Sequence, residues 1–285
     1  MTPLSHGGLI RPARRPPGWL PPGPSPEPPP THSAAWPRGQ EDLCYLSGDW
    51  RILQRIDGHR WSLDDLMTAW FAVRQTRAHP PRHVADLGCG IGAVLMLVAW
   101  SFPRARCIGV EAQAISIGLA RRSLVWNGID DRCEVRAGDL RDVASFPEGS
   151  IFDLVTGTPP YLPPGTATES RRIQRDPCHI ERRGGIEDYC AAAAPLLAPG
   201  GRFVTCAAAR QVERVARGAK AAGLAIIDRL DVVPREGKAP LFSVYAMANA
   251  EDAVRSPSSI LVVRDQAGER TLAFRKLRAE MGMPP

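Results

Sequence analysis

Residues 83–92 read HVADLGCGIG. A short apolar run of strand type reaches Asp86, glycines recur at 88, 90 and 92, and a second apolar run, Ala93 to Trp100, follows. Glycine lets a backbone turn sharply and approach a ligand, and an acid at a strand's end can accept hydrogen bonds from that ligand. The spacing narrows the choice. Dinucleotide sites want G-x-G-x-x-G, where the wider gap brings a helix N-terminus to a pyrophosphate. Here the order is D-x-G-x-G-x-G, and the acid two residues before the first glycine repels phosphate and suits a cationic amino-acid moiety.

Outward from this turn the pattern stays regular. Strand-like runs at His83–Leu87, Cys107–Glu111, Cys133–Ala137, Phe152–Thr156 and Arg202–Ala207 alternate with helix-like segments near 91–101, 112–126, 185–198 and 210–222. Such alternation predicts an α/β fold with a parallel sheet and helices on both faces. Two further strands, Ala225–Val233 and Phe242–Ala248, are joined only by a loop, so an antiparallel pair is expected to close the sheet. Upstream, Leu63, Leu66, Met67, Trp70 and Phe71 recur at helical spacing, with Ser62 as the N-cap and Asp64 and Asp65 in the first turn.

Composition bounds the rest. The chain has 285 residues, enough for one large domain or two small ones. Its mean hydropathy of −0.18 fits a soluble protein, and no apolar run approaches the roughly 18 residues of a membrane span. The net charge of +6 points to an anionic partner. Only Lys220, Lys238 and Lys276 among its 36 basic residues are lysines, a skew that GC-rich coding also produces. The seven cysteines lack a C-x-x-C pair, so neither a disulfide framework nor a metal site is expected. Residues 1–40 hold twelve of the 28 prolines without apolar periodicity and are expected to be disordered. Their arginines at 11, 14 and 15, with no acid before Glu27, leave an organelle-targeting role open beside the expected cytoplasmic location.

A second stretch carries the chemistry. Residues 156–165, TGTPPYLPPG, follow the fourth strand at the sheet's carboxyl edge, where open α/β sheets bind ligands. An exocyclic amino nitrogen is a poor nucleophile because its lone pair is delocalised. If a side-chain oxygen and a backbone carbonyl accept its two hydrogens, the nitrogen pyramidalises and its lone pair can attack. Thr158 supplies the oxygen, Pro159 and Pro160 stiffen the carbonyl, and Tyr161 offers a ring for stacking.

These features in this order resemble the class I S-adenosylmethionine-dependent methyltransferases, with their Rossmann-like, seven-stranded, mostly parallel sheet and antiparallel last strand. The resemblance implies S-adenosyl-L-methionine held by Asp86, Gly88, Gly90, Gly92, Glu111, Ala112, Asp139 and Leu140. Glu111 would take the ribose hydroxyls and Asp139 the adenine amino group. Thr158, Pro159, Pro160 and Tyr161 would be the catalytic motif, with Thr where the family has Asn, Asp or Ser.

Flanking segments are similar to the bacterial tRNA (adenine-N6)-methyltransferases that act on a valine tRNA. These are Asp57-Gly-His-Arg-Trp-Ser-Leu-Asp64, Pro234-Arg-Glu-Gly-Lys-Ala-Pro240 and the tail from Ser258 to Thr271. The likeness runs over about 43–275 and implies methylation of adenine N6 in tRNA. Methylation of a protein glutamine or a small molecule is the alternative, and a catalytically weak RNA-binding protein is a third. Between Tyr161 and the next helix, Arg171, Arg172 and Arg175 are candidates for RNA phosphates, or else belong to a solvated loop; Arg235 and Lys238 are further substrate candidates. The domain reading is an extension over 1–40, a cap segment over 41–80, the catalytic core over 81–250 and a tail over 251–285. No membrane partner is expected, and the assembly would be a monomer or weak homodimer.

Overall fold

The computed structural model describes residues 7–58, 60–160, 184–254 and 258–285. Seven strands of the expected core are present: β4 (His83–Leu87), β5 (Arg106–Glu111), β6 (Cys133–Ala137), β7 (Phe152–Gly157), β8 (Leu197–Ala208), β9 (Leu224–Val233) and β10 (Phe242–Asn249). Their spatial order is β9-β10-β8-β7-β4-β5-β6. β4 to β8 pair in parallel, and β10 runs antiparallel to both β8 and β9. An eighth strand, β11 (Ser259–Val262), pairs in parallel with β9 at the sheet's edge, so the segment read as a tail extends the sheet. The apolar run Ile260 to Val263 supplies it.

Alternation along β4 decides what faces the site. Val84 packs in the core on one face, whereas Ala85 and Leu87 pack on the other. Period-two geometry then sends Asp86 to the face of Val84. Leu154 and Val155 of β7 divide in the same way, which puts Thr156, and beyond the strand Thr158, on that face too.

The helices are α1 (Leu63–Thr76), α2 (Ala93–Ser101), α3 (Ala114–Trp126), α4 (Ile186–Ala193), α5 (Val212–Ala221) and α6 (Leu272–Glu280). α1, α2 and α3 contribute to the core on one side of the sheet, α4 and α5 to the core on the other. α2 is apolar all round and buried from Ala93 to Ala99, as a helix enclosed by core must be. No helix among the described residues is long and apolar enough to cross a membrane.

Before the core, β2 (Glu41–Tyr45) and β3 (Arg51–Arg55) form an antiparallel pair, joined in parallel by β1 (Leu9–Ile10). Residues 7–40 therefore depart from the expected disorder. The stretch has no core of its own and is held by contacts to the body instead. Arg11 donates to Asp42, Arg15 to Asp49, and Trp36 sits edge-on to Trp126 of α3 at 4.9 Å. Arg122 of α3 adds hydrogen bonds to the carbonyls of Ala34 and Trp36 and to the Glu41 carboxylate. Prolines lower the entropy that such an arm loses on docking.

Candidate functional site

The glycine turn emerges from β4 with Gly88, Gly90 and Gly92 at φ values of 58°, 55° and 84°, a region that side chains with a Cβ disfavour. At Gly88 a Cβ would overlap the Tyr189 hydroxyl of α4, so the backbone there must stay bare. At Gly90 a Cβ would meet nothing within 4 Å, because the turn opens onto a cavity. Gly92 caps α2 from behind this wall.

Glu111, at the end of β5, is 7% exposed and clasps the turn: its Oε2 accepts from the Gly90 amide at 2.9 Å and its Oε1 from the Gln113 amide at 2.7 Å. Each oxygen retains a lone pair for a further donor. Asp139, beyond β6, is half-buried and paired with the solvent-exposed Arg141 through both oxygens, at 2.9 and 2.6 Å. A pair this exposed is worth ~1 kcal/mol or less, so a ligand amine can compete for the carboxylate.

Asp86 lies just behind the cavity. Its Oδ1 accepts from the Thr156 hydroxyl at 2.8 Å across the paired strands, while its Oδ2 is buried without a hydrogen-bond partner. Burial, only partly offset by hydrogen bonding to the Thr156 hydroxyl and the Leu95 amide and reinforced by the Glu111 charge, pushes its carboxyl up to about 7. Asp65, the N3 residue of α1, accepts from the Ser62 amide at 2.8 Å. Burial, with Asp64 and Asp86 nearby, holds its carboxyl well above the usual range.

The cavity wall thus contains Asp64, Asp65, Glu111 and Asp139, and no basic side chain among the described residues. Four carboxylates around one concavity, a fifth behind it and an orphaned Asp86 oxygen make a site for a cation. A sulfonium or ammonium group is stabilised there, and a pyrophosphate is not. The residues fit S-adenosylmethionine, which carries both cations and a ribose diol.

Most of the residues expected from sequence meet here: Gly88, Gly90, Glu111, Ala112, Asp139, Leu140, Thr158 and Pro160 line the cavity. Gly92 and Pro159 adjoin lining residues in the chain and Asp86 lies two before Gly88, but these three are not themselves on the lining. Arg235 and Lys238 are exposed on the loop between β9 and β10; Phe242 pairs with Ala208, so this loop shares the carboxyl edge with the site without lining it. Tyr161, Arg171, Arg172 and Arg175 lie outside the described residues.

Three contributors were missed. Asp64 and Asp65 read as a helix cap, which they are, but the cap opens into the cavity. Tyr189 gave no signal beyond its place on an amphipathic helix, yet its ring closes the floor beneath Gly88 and Gly157. A Cβ at Gly157 would stand 2.7 Å from the Tyr189 Cδ1.

One pH effect follows from Asp86. Its folded value, about 7, exceeds the ordinary 3.8, so the fold binds this proton more tightly than the unfolded chain does. The contribution to stability is present below pH 4 and is lost as pH rises through 7. Melting temperatures of the ligand-free protein and of Asp86→Asn, measured from pH 4 to 8, should converge at the acid end as Asp86 protonates. Over that range the asparagine variant should lose less stability. Parallel curves would remove Asp86 as the source.

Residues 65–175 match the family model described as Methyltransferase small domain. The chain is 30% identical over 140 residues to a tRNA1(Val) (adenine(37)-N6)-methyltransferase of Porphyromonas gingivalis, covering 48% of this chain and 54% of that protein. It is 31% identical over 166 residues to a release factor glutamine methyltransferase of Bradyrhizobium diazoefficiens, covering 55% and 53%. The chain thus spans about half the length of these curated relatives. In fold it is similar to the crystal structure of a predicted O-methyltransferase from Agrobacterium tumefaciens, with a TM-score of 0.56 and 20% identity over 78% of this chain and 98% of that one.

Proposed function

We propose that this chain is a class I S-adenosylmethionine-dependent methyltransferase that transfers a methyl group to the N6 amino group of an adenine in tRNA. The observation that carries the reading is the position of Thr158 and Pro160 on the wall of the carboxylate-lined cavity. The cofactor, when bound, supplies an electrophilic methyl on a sulfonium. Gly88 and Gly90 would bring bare backbone against it, Glu111 would accept from its ribose hydroxyls, and Asp139 would accept from its adenine amino group in place of Arg141. Asp64, Asp65 and Asp86 would present carboxyl oxygens to its cations, and a cation there favours the charged forms that burial disfavours at Asp65 and Asp86.

The substrate nitrogen is prepared by the chain following β7. The Thr158 hydroxyl oxygen accepts one amino hydrogen and the Pro159 carbonyl accepts the other, which localises the nitrogen lone pair. Two consecutive prolines keep that carbonyl from rotating, so little reorganisation is needed at the moment of transfer. Tyr161 stacks on the base. No strong general base is required, because the proton leaves after the nitrogen has become cationic.

The tRNA reading draws on the adenine-N6 relative and on the flanking segments from Asp57 to Asp64 and Pro234 to Pro240. The comparable match to a glutamine methyltransferase supports a second reading, since a planar amide presents the same two hydrogens. Incubation of the purified chain with bulk tRNA and S-adenosylmethionine, then nucleoside mass spectrometry, separates them. N6-methyladenosine is the expected product. A methylated glutamine in a peptide mixture, with no methylated nucleoside, would overturn the assignment.

A further inference from the structure

We propose that a second cavity, between the N-terminal arm, β2 and the end of α6, binds nucleotides of the substrate RNA that flank the methylated one. This rests on the tRNA reading for the identity of the strand, and on its own geometry for the site. The cavity encloses about 580 Å³, within the roughly 300–1,000 Å³ of pockets that take nucleotide-sized ligands. Arg11, Arg14, Arg15, Arg60 and Arg278 line it, with Trp19, Tyr45 and Trp61, and no carboxylate lies on the wall among the described residues.

The arginines are not all spent on the fold. Asp42, fully buried, pairs with Arg11 and Arg60, and Asp49 pairs with Arg15. Among the described residues Arg278 donates to the Pro284 carbonyl and the Met283 sulfur and to no carboxylate, and burial with Arg270 nearby pulls its guanidinium down to about 10. Arg14 is exposed at the rim. A partly desolvated cation without a carboxylate gains most from a phosphate oxygen. Arginines beside indole rings suit a single strand, whose phosphates and flat bases alternate.

Position favours the same ligand. Trp61 lines this cavity and Asp64 the acidic one, and three residues of chain reach at most ~11 Å. The two neighbouring walls have opposite polarity among the described residues: four carboxylates and no base line one, and five arginines and no acid line the other, with Asp42 and Asp49 behind three of those arginines. A strand whose adenine enters at Thr158 can therefore lay its adjoining phosphates along the arginines, while the carboxylates repel them from the cofactor's place.

The test uses the full chain and a fluorescein-labelled, adenine-containing single-stranded oligoribonucleotide, read by fluorescence anisotropy across a salt series. Arg14→Glu should weaken binding about tenfold or more and reduce the salt dependence by at least one phosphate equivalent. Trp19→Ala should weaken it roughly five- to tenfold with the salt dependence unchanged. Both variants should keep wild-type melting temperature and affinity for S-adenosylhomocysteine. If both bind the oligonucleotide as wild type does, the site is disproved. Displacement of the RNA by polyglutamate as readily as by unlabelled RNA would overturn it too, since charge alone would then suffice. RNA held in this cavity but never methylated would leave the site standing and refute the functional reading. Methylation at wild-type kcat/KM by both variants would refute the site alone.

Discussion

Gly88→Ala is expected to lower S-adenosylmethionine affinity about a hundredfold and the melting temperature by ~5–10 °C, read by calorimetric titration and thermal denaturation. Two costs combine. A left-handed backbone disfavours any Cβ by ~1–2 kcal/mol, and overpacking a filled site adds ~1–3 kcal/mol; a few degrees per kcal/mol is usual at this size. The overpacking partner is the Tyr189 hydroxyl, which the new methyl would overlap. Its ring cannot retreat toward β7, because Gly157 already lies against it. Tyr189→Phe in the Gly88→Ala background removes that oxygen and should recover part of both losses. No recovery would mean that backbone conformation, and not the tyrosine, makes glycine necessary.

Thr158→Ala is expected to cut kcat by roughly two orders of magnitude, the usual cost of deleting one preorganised polar partner of the reacting group, while changing cofactor affinity less than twofold. Thr158 lines the same cavity as the glycine turn, and it continues the face that Thr156 and its cross-strand partner Asp86 occupy one pleat below. Its hydroxyl is thus presented from a rigid strand end. Thr158→Asn restores the amide oxygen usual in the family and should keep activity at or above wild type. Unchanged kcat in the alanine variant would strip Thr158 of its role; equal loss of turnover and cofactor affinity would mark it as structural.

The strand-to-glycine turn and the acids at 86, 111 and 139 were readable because each sits at a strand end, and a parallel sheet aligns its strand ends on one edge. The Thr-Pro-Pro motif was readable for the same reason. Asp64, Asp65 and Tyr189 were not. A helix cap and an amphipathic tyrosine have the same local pattern whether or not a cavity lies beside them. The arm over residues 7–40 ran against composition, because its order comes from Asp42, Asp49, Trp126 and Arg122, which are remote in sequence.

Local periodicity and glycine spacing by themselves determined an α/β sheet with a cation-binding turn at its carboxyl edge, since both depend on contacts within a few residues. Tertiary structure alone decided that α1 lends two carboxylates to that turn, that Tyr189 floors it, and that the arm walls an arginine cavity beside it. Those arrangements depend on which distant segments meet. Burial, as at Asp86, then alters the chemistry of a group whose sequence neighbours are silent about it.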